Sequence, residues 1–351
     1  MDAVPTGYLY DPVFLEHTNA SHPENRARLE AVMALLNQTK QTDKLLHIPF
    51  APATMEQLRR VQDPAYLFAL RHFAERGGGM VDLNTYANAA TYRSTVAAVG
   101  ASIAAANAVL DGDVQRAFAL VRPPGHHAHA DRADGFCIMN NAAFVARQAL
   151  GDIDPRPSTV VERVMIVDFD VHHGNGTQEI FYLDPRVFYI SMHQWPLFPG
   201  TGHIDEVGKG AAVGTNANIP LPPDAGDQVY TQVCDEIIAP LARRFRPGLF
   251  VVSAGYDAHW LDQLASMKVS LAGFSYILRV LVDLSNELCA GRMAVVLEGG
   301  YDLDVLSHGV LNTFHALREE YDQVRDPFGA YPGHVVTAQK VIDKVKQINH
   351  L

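Results

Sequence analysis

Five continuous apolar runs follow one another along the chain, and each closes on glycine, proline, aspartate, histidine or a similar turn residue. The runs are unbroken rather than alternating, which is typical of parallel strands that are buried on both faces. Helical patterns lie between them. The runs cover residues 117–125, 164–170, 187–192, 249–255 and 294–300, and the clearest helical patterns cover 92–110, 141–150, 227–245, 271–290 and 303–321.

Strands that alternate with helices predict an α/β protein with a parallel sheet covered by helices on both faces. We expect a single domain over residues 1–351, because the Pro-containing stretch 152–162 has the pattern of a surface loop and not of a domain boundary. Three consecutive glycines at 77–79 predict only a flexible loop.

Composition excludes several classes of protein. The chain has 351 residues, 48% hydrophobic and 19% charged, which is typical of a soluble globular protein. No apolar run approaches the roughly 18 residues of a membrane span, and the N-terminal residues show no secretory signal. The net charge of -11 argues against direct binding of nucleic acid. The three cysteines are widely spaced, so we expect no disulfide framework and a cytoplasmic location.

Asp168, Asp170 and His172 stand at alternate positions where the second run ends. Side chains of a strand alternate between its two faces, so these three are expected to point the same way. Two carboxylates and an imidazole on one face are costly to bury unless a positive charge lies among them. A metal ion would supply that charge, and the other apolar runs are the places to look for further ligands.

Other polar residues with chemical potential also follow the predicted strands. Ligands of parallel sheets bind beyond the carboxyl ends of the strands, so residues that are distant in sequence converge at that edge. Taken alone, each motif has an ordinary structural explanation as a turn, a helix cap or a packing residue. Their convergence favours a functional site. The residues are His126 and His127 after the first run, Ser191 and His193 at the third, Asp257 after the fourth and Tyr301 after the fifth.

Asp170, His172 and Asp257 would give a metal ion three N and O ligands and leave one position open. That pattern is typical of a catalytic zinc site, although Fe(II), Co(II) and Mn(II) also suit a set with two carboxylates. The paired histidines and the tyrosine add general acid–base groups and an oxyanion donor. The residues therefore indicate metal-assisted hydrolysis of a neutral carbonyl compound.

Several ordered motifs closely resemble the zinc-dependent histone deacetylase family, above all its class II branch and the bacterial histone deacetylase-like amidohydrolases and acetylpolyamine amidohydrolases. They are HPENRARLEAV, RPPGHHAHADRADGFCIMNNAA, VDFDVHHGNGTQEIFY, SMHQWPLFPGTG, SAGYDAH and LEGGYD, and they span nearly the whole chain. The resemblance implies the arginase–deacetylase fold, with a central parallel sheet of about eight strands between helices.

The resemblance also implies roles for individual residues. Asp168 corresponds to the carboxylate behind one catalytic histidine, and Asn175 stands behind the other, where class I members have a second carboxylate. Which histidine acts as the general base stays open, because adjacent histidines titrate together. The zinc ligands correspond to Asp170, His172 and Asp257, and the catalytic groups to His126, His127 and Tyr301.

Potassium ions and substrate contacts are implied in the same way. One potassium site would be formed by Asp168, Asp170, His172, Ser191 and Met192, largely through backbone carbonyls, and a second by Phe181, Asp184 and Val187. Gly135, Phe136 and Phe198 would line a narrow acyl-lysine tunnel, with Leu264 at its rim. Asn84 departs from the family, since most members have an aspartate there that holds the backbone of a peptide substrate.

The expected activity is zinc-dependent deacetylation of N-ε-acetyl-lysine in proteins or peptides, with inhibition by hydroxamates. An alternative is the deacetylation of acetylpolyamines or other small acetylated amines, although Leu264 does not supply the acidic rim residue typical of such enzymes. A less favoured alternative is a scaffold that binds acylated partners without turnover. Tyr301 argues against it, since members with low activity have histidine at this position.

Overall fold

The computed structural model describes residues 4–154 and 160–351. All eight strands of the main sheet are parallel, in the order β2-β1-β5-β10-β9-β6-β7-β8, and β3 and β4 form a small antiparallel pair. The strands are β1 (Thr6–Leu9), β2 (Leu46–His47), β3 (Gly78–Met80), β4 (Tyr86–Asn88), β5 (Arg116–Ala119), β6 (Val164–Asp168), β7 (Val187–Gln194), β8 (Asn216–Leu221), β9 (Leu249–Ala254) and β10 (Met293–Leu297).

Helices cover both faces of this sheet. On one face α4 packs on α5, and elsewhere α10 packs between α1 and α9. A π-helical turn, Cys234–Ile238, joins α7 to α8, so that the helix predicted over 227–245 is continuous. The helices are α1 (Ala27–Gln38), α2 (Met55–Leu58), α3 (Pro64–Glu75), α4 (Thr91–Asp111), α5 (Asn141–Ala149), α6 (Asn175–Phe181), α7 (Asp227–Val233), α8 (Ala239–Phe245), α9 (Leu271–Cys289), α10 (Leu303–Leu317) and α11 (Gln339–Ile348).

The predicted α/β architecture with a central eight-stranded parallel sheet is confirmed. The five apolar runs give β5, β6, β7, β9 and β10, and every residue of these strands is buried. The other three strands carry little hydrophobic signal. In particular, β2 has two residues, and β8 contains Pro220, which is tolerated because β8 is an edge strand.

Helix α4 is long and apolar enough, by length and composition, to cross a membrane. This differs from the prediction that no apolar run approaches the length of a membrane span. However, 78% of the relevant window is buried inside the protein. The small residues along α4, such as Gly100, allow close packing: a Cβ at Gly100 would overlap the Ala51 carbonyl. Helix α4 is therefore a core helix of the sheet protein.

Two local predictions differ from the structure, and a third is covered by it only in part. Helix α10 ends at Leu317 and not at 321, because Glu319 adopts a left-handed backbone (φ 61°) and pairs with the buried Arg116. The glycines at 77–79 are only partly a loop, since Gly78 and Gly79 belong to β3. Of the loop predicted at 152–162, residues 155–159 lie outside the described part of the chain.

The position of β10 brings distant parts of the chain together. This strand is the last in sequence, yet it lies between β5 and β9. The loop that follows it is held by the N-terminal helix α1, where buried Arg28 donates hydrogen bonds to the carbonyl oxygens of Gly300 (2.8 Å) and Glu298. The carboxyl ends of β5, β6, β9 and β10 thus face one shared space.

Candidate active site

Two carboxylates and one imidazole lie together beyond the ends of β6 and β9. The alternation had predicted Asp170 and His172 on the strand. Strand β6 ends at Asp168, however, so both residues lie on the loop that follows it. They converge nevertheless: His172 Nδ1 is 3.1 Å from Asp170 Oδ1 and 3.3 Å from Asp257 Oδ2. The candidate ligand atoms of the three residues all lie within 4.8 Å of one another.

The backbone around this cluster is shaped to receive the carboxylates. Asp170 Oδ2 accepts a hydrogen bond from the Gly299 N–H (2.8 Å), and Asp257 Oδ1 accepts one from the Val171 N–H (3.0 Å). A Cβ at Gly255 or Gly299 would overlap the Asp170 carboxylate. These two glycines therefore let β9 and β10 approach the site more closely than any other residue would allow.

The electrostatics of the cluster fit a bound cation. Both carboxylates are fully buried, and Asp257 Oδ2 has no hydrogen-bond partner among the described residues. Burial alone would lower the pKa of His172, but its hydrogen bond to Asp170 and the nearby Asp257 carboxylate raise that pKa to about 10. The site thus attracts positive charge strongly, and the N and O donors suit zinc or a neighbouring divalent metal.

The tandem histidines lie beside the cluster, with ring centroids 4.0 Å apart. His126 Nδ1 donates to Asp168 Oδ2 (3.1 Å), and the same oxygen accepts a hydrogen bond from the Tyr189 hydroxyl (2.9 Å). His127 Nδ1 lies 2.8 Å from Asn175 Oδ1, at the start of α6. The two predicted partners, Asp168 and Asn175, therefore each orient one ring.

The surroundings of His126 and His127 shift the pKa values of the two rings in opposite directions. Burial lowers the pKa of both rings, but the carboxylates of Asp170 and Asp168 outweigh it and raise the pKa of His126 well above its usual value. The pKa of His127 is well below the usual value because of its burial and the neighbouring His126 and His172. A lowered pKa favours the neutral form of His127, which can accept a proton.

Tyr301 follows β10 and faces the same space. Its backbone N–H donates to Asp262 Oδ2 (2.6 Å), its ring packs edge-on against Phe136 (5.7 Å), and the Arg28 guanidinium lies 5.0 Å from the ring centroid. Burial raises the pKa of the phenol well above its usual value. The hydroxyl therefore keeps its proton and can donate a hydrogen bond to an oxyanion.

A cavity of about 200 Å³ leads to these groups. Phe136 and Phe198 lie on its walls, and Phe136 adopts a left-handed backbone (φ 70°) in a tight turn with Gly135. Every residue predicted to contact substrate contributes to the lining. The lining residues are Asn84, Pro124, His126, His127, Gly135, Phe136, Cys137, His172, Leu197, Phe198, Leu264, Gly299 and Tyr301.

Three supporting residues were missed by the sequence analysis. Glu298 is fully buried and accepts hydrogen bonds from the backbone N–H groups of Gly125 (2.7 Å) and His126 (3.1 Å), while burial raises its pKa to about 7. Asp262 and Arg28 hold the Tyr301 loop. An acidic residue inside the apolar run 294–300 was a usable signal for Glu298, but nothing local indicates the other two.

The residues predicted to bind potassium occupy two places. Ser191 and Met192 lie on β7, where Ser191 is the register partner of Asp168 on β6. Phe181 ends α6, and the Asp184 carboxylate pairs with Arg147 (2.5 Å) and Arg186 (2.8 Å). Those two arginines already neutralise Asp184, so a second ion there would depend on backbone carbonyls. Both potassium sites stay predictions.

A cluster that could hold a metal ion, two adjacent histidines and a phenol at the carboxyl edge of a parallel sheet together fit a hydrolase that acts on a polarised carbonyl. Residues 22–317 match the family model described as the histone deacetylase domain. The chain therefore belongs to the histone deacetylase family, whose members are generally zinc-dependent, and it is a hydrolase that acts on amide bonds.

Individual relatives agree over most of the chain. It is 37% identical to histone deacetylase 14, chloroplastic, of Arabidopsis thaliana, over 96% of this chain and 83% of the relative. It is 35% identical to a histone deacetylase-like amidohydrolase of Pseudomonas aeruginosa, over 92% and 82%. The crystal structure of the HDA15 HD domain superposes with a TM-score of 0.87 at 33% identity, over 98% and 94% of the two chains. These matches confirm the predicted family and the arginase–deacetylase fold.

Proposed function

We propose that this protein is a zinc-dependent deacetylase that hydrolyses N-ε-acetyl-lysine in proteins or peptides to acetate and a free amine. The observation that carries the proposal is the narrow cavity between Phe136 and Phe198, which ends at His127, His172 and Tyr301. A channel with aromatic walls suits the neutral, four-carbon stem of an acylated lysine. An amide at its tip reaches the polar groups while the peptide stays outside.

Asp170, His172 and Asp257 would hold the zinc ion, which when bound polarises a carbonyl and acidifies a water. His127 accepts a proton from the attacking water at Nε2, because its Nδ1 is engaged by Asn175. Tyr301 donates a hydrogen bond from its hydroxyl group to the oxygen that becomes negative. His127 then returns the proton to the leaving amine, and the positive charge favoured on His126 stabilises the negative charge that develops.

Acetylpolyamines and other small acetylated amines are the alternative substrates. Their second cation would need a carboxylate at the cavity entrance, but the residues there are Asn84 and Leu264. The nearby Asp82 uses Oδ1 to accept the N–H groups of Asn84 (2.8 Å) and Thr85 (2.7 Å), so it serves first to shape the loop. The entrance therefore favours a lysine side chain over a polyamine.

A direct comparison of substrates tests the proposal. Acetate release should be measured with an acetyl-lysine peptide and with acetylputrescine, before and after removal of metal by a chelator. We expect faster turnover of the peptide, loss of activity with the chelator and recovery with Zn(II). Faster turnover of acetylputrescine would favour the alternative, and absence of turnover with either substrate after addition of Zn(II) would favour a binding scaffold.

A further inference from the structure

Asn175, the partner of His127, also forms hydrogen bonds on the side that faces away from His127. Its Oδ1 atom lies 2.8 Å from His127 Nδ1, and its Nδ2 atom donates to Asp134 Oδ2 (3.0 Å) and lies 3.1 Å from His129 Nε2. Asp134 was not among the predicted site residues. The amide thus lies between the catalytic histidine on one side and a carboxylate and a second imidazole on the other.

The orientation of this amide decides which nitrogen of His127 carries a proton. An amide has an accepting end and a donating end of nearly the same shape, so it can turn over. With Oδ1 towards His127, the ring must donate from Nδ1, which leaves the lone pair on Nε2. With Nδ2 towards His127, the proton would sit on Nε2, and the ring could no longer accept one from water. A carboxylate at position 175 would have no such ambiguity.

The geometry points to Asp134 as the positioning residue that fixes this choice: its acceptor-only carboxylate holds the Asn175 amide with Nδ2 outward and thereby keeps His127 in the tautomer that can act as a base. The inference rests on the proposed deacetylase mechanism only in giving His127 that role. The tautomer itself is a property of the resting protein, and it can be measured without substrate.

Asp134 is well placed to do this, because its backbone is fixed. It exchanges two backbone hydrogen bonds with Cys137 (3.1 and 2.8 Å) across the turn that carries Gly135 and Phe136. Its side chain is only 27% exposed. The same turn therefore supplies a wall of the cavity from Phe136 and the anchor of the Asn175 amide from Asp134.

Other charged groups border this pair, and they favour different tautomers of His129. His129 Nε2 can accept from Asn175 when its Nδ1 donates to Glu179 Oε2 (2.7 Å). Arg132 Nη2 approaches the same His129 Nδ1 (2.9 Å) and Glu179 Oε2 (3.4 Å). Because a guanidinium only donates, its contact with Nδ1 favours the opposite tautomer of His129. Because histidine can reverse its tautomer and Asp134 cannot, the carboxylate is the group that sets the direction of the chain of hydrogen bonds.

The test exchanges the two side chains. Asp134→Asn makes both partners amides, and we expect kcat to fall by about fivefold or more with KM little changed, because a neutral acceptor holds the amide less firmly. Asn175→Asp places two carboxylates together and should also lower kcat. The exchanged variant, Asp134→Asn with Asn175→Asp, restores one donor facing one carboxylate and should regain kcat to within about threefold of the wild type.

A matched control is Asp131→Asn, which removes the same charge from an exposed carboxylate that pairs with Arg132. It should leave kcat unchanged, and the melting temperature of each variant reports its folding. An exchanged variant whose loss equals the product of the two single losses would overturn the inference, since a purely structural role for Asp134 predicts no rescue.

Nuclear magnetic resonance of ¹⁵N-histidine-labelled protein, with the His127 signal assigned by His127→Ala, gives a readout independent of turnover. We expect the Nδ1–H tautomer of His127 in the wild type and a shift towards Nε2–H in Asp134→Asn. An unchanged tautomer in Asp134→Asn would overturn the role of Asp134. If the wild type proved inactive on every substrate, the proposed function would fail, and the tautomer measurement would still decide this inference.

Discussion

Tyr301→Phe removes a single hydroxyl group from the site and leaves the ring where it is. The ring is held by Phe136 at 5.7 Å and by Arg28 at 5.0 Å, and the backbone N–H is held by Asp262, so none of these contacts depends on the hydroxyl. Loss of one oxyanion donor typically lowers kcat by roughly 10²–10³-fold, or about 2.7–4 kcal/mol. We expect a loss of that size with KM nearly unchanged.

The loss should also be nearly independent of pH. Burial raises the pKa of Tyr301 well above its usual value, so the wild-type phenol stays protonated throughout a practical assay range and the variant has nothing to titrate. The assay is acetate release from an acetyl-lysine peptide between about pH 6 and 9, with the zinc content of each sample determined in parallel. Because Asp170, His172 and Asp257 are untouched, zinc binding should be retained.

Tyr230→Phe provides a matched control. The Tyr230 side chain is fully buried in α7, and its hydroxyl has no hydrogen-bond partner among the described residues. Removing that hydroxyl should leave kcat/KM unchanged and raise the free energy of unfolding by about 1 kcal/mol, because an unsatisfied buried polar group is lost. If Tyr301→Phe kept nearly full activity with zinc in place, the oxyanion role of Tyr301 would be wrong.

Three further changes test other parts of the site. Asp257→Ala should abolish zinc binding as well as activity, and stoichiometric zinc in the purified variant would contradict the assignment. Hydroxamates with an apolar linker should inhibit by occupying the cavity between Phe136 and Phe198, whereas no inhibition at high micromolar concentration would count against both the tunnel and the metal site. Asn84→Asp should raise kcat/KM several-fold on acetyl-lysine peptides but hardly on small acetylated amines, because a charged acceptor binds peptide N–H groups more strongly; equal effects on both would refute this role of the loop.

The sequence predicted the reactive groups of this site better than the residues that hold them. Asp257 and Tyr301 were predictable because they follow strongly hydrophobic strands, and parallel strands bring their carboxyl ends together. Asp262 and Arg28 were not, because they act on the backbone of residues 298–302, far from them in sequence. A hydrogen bond to a backbone group leaves no trace in the identity of the residue that receives it.

The elements of the fold also divide into those that could be predicted from the sequence and those that could not. The strands formed by continuous apolar runs could be predicted from hydrophobicity, whereas β2 and β8 carry little such signal and pair at the two edges of the sheet. Helix α10 illustrates a different limit. Its hydrophobic pattern continues beyond Leu317, but the pairing of Glu319 with Arg116 on β5 ends the helix earlier. Tertiary contacts of this kind override local propensity.

The place of β10 in the sheet has a consequence for how the chain matures. A nascent chain that has not yet reached residue 293 contains β5 and β9 but lacks the strand that separates them, and Met293 pairs with Arg116 across about half of the chain. Contacts between residues so far apart form slowly, and the open strand edges of such an intermediate favour aggregation. Arg28 likewise lacks its two carbonyl acceptors, at Glu298 and Gly300, until this part of the chain has been made. Because Tyr301 follows this strand, we expect no hydrolysis by a chain that has not yet completed β10 and the loop after it.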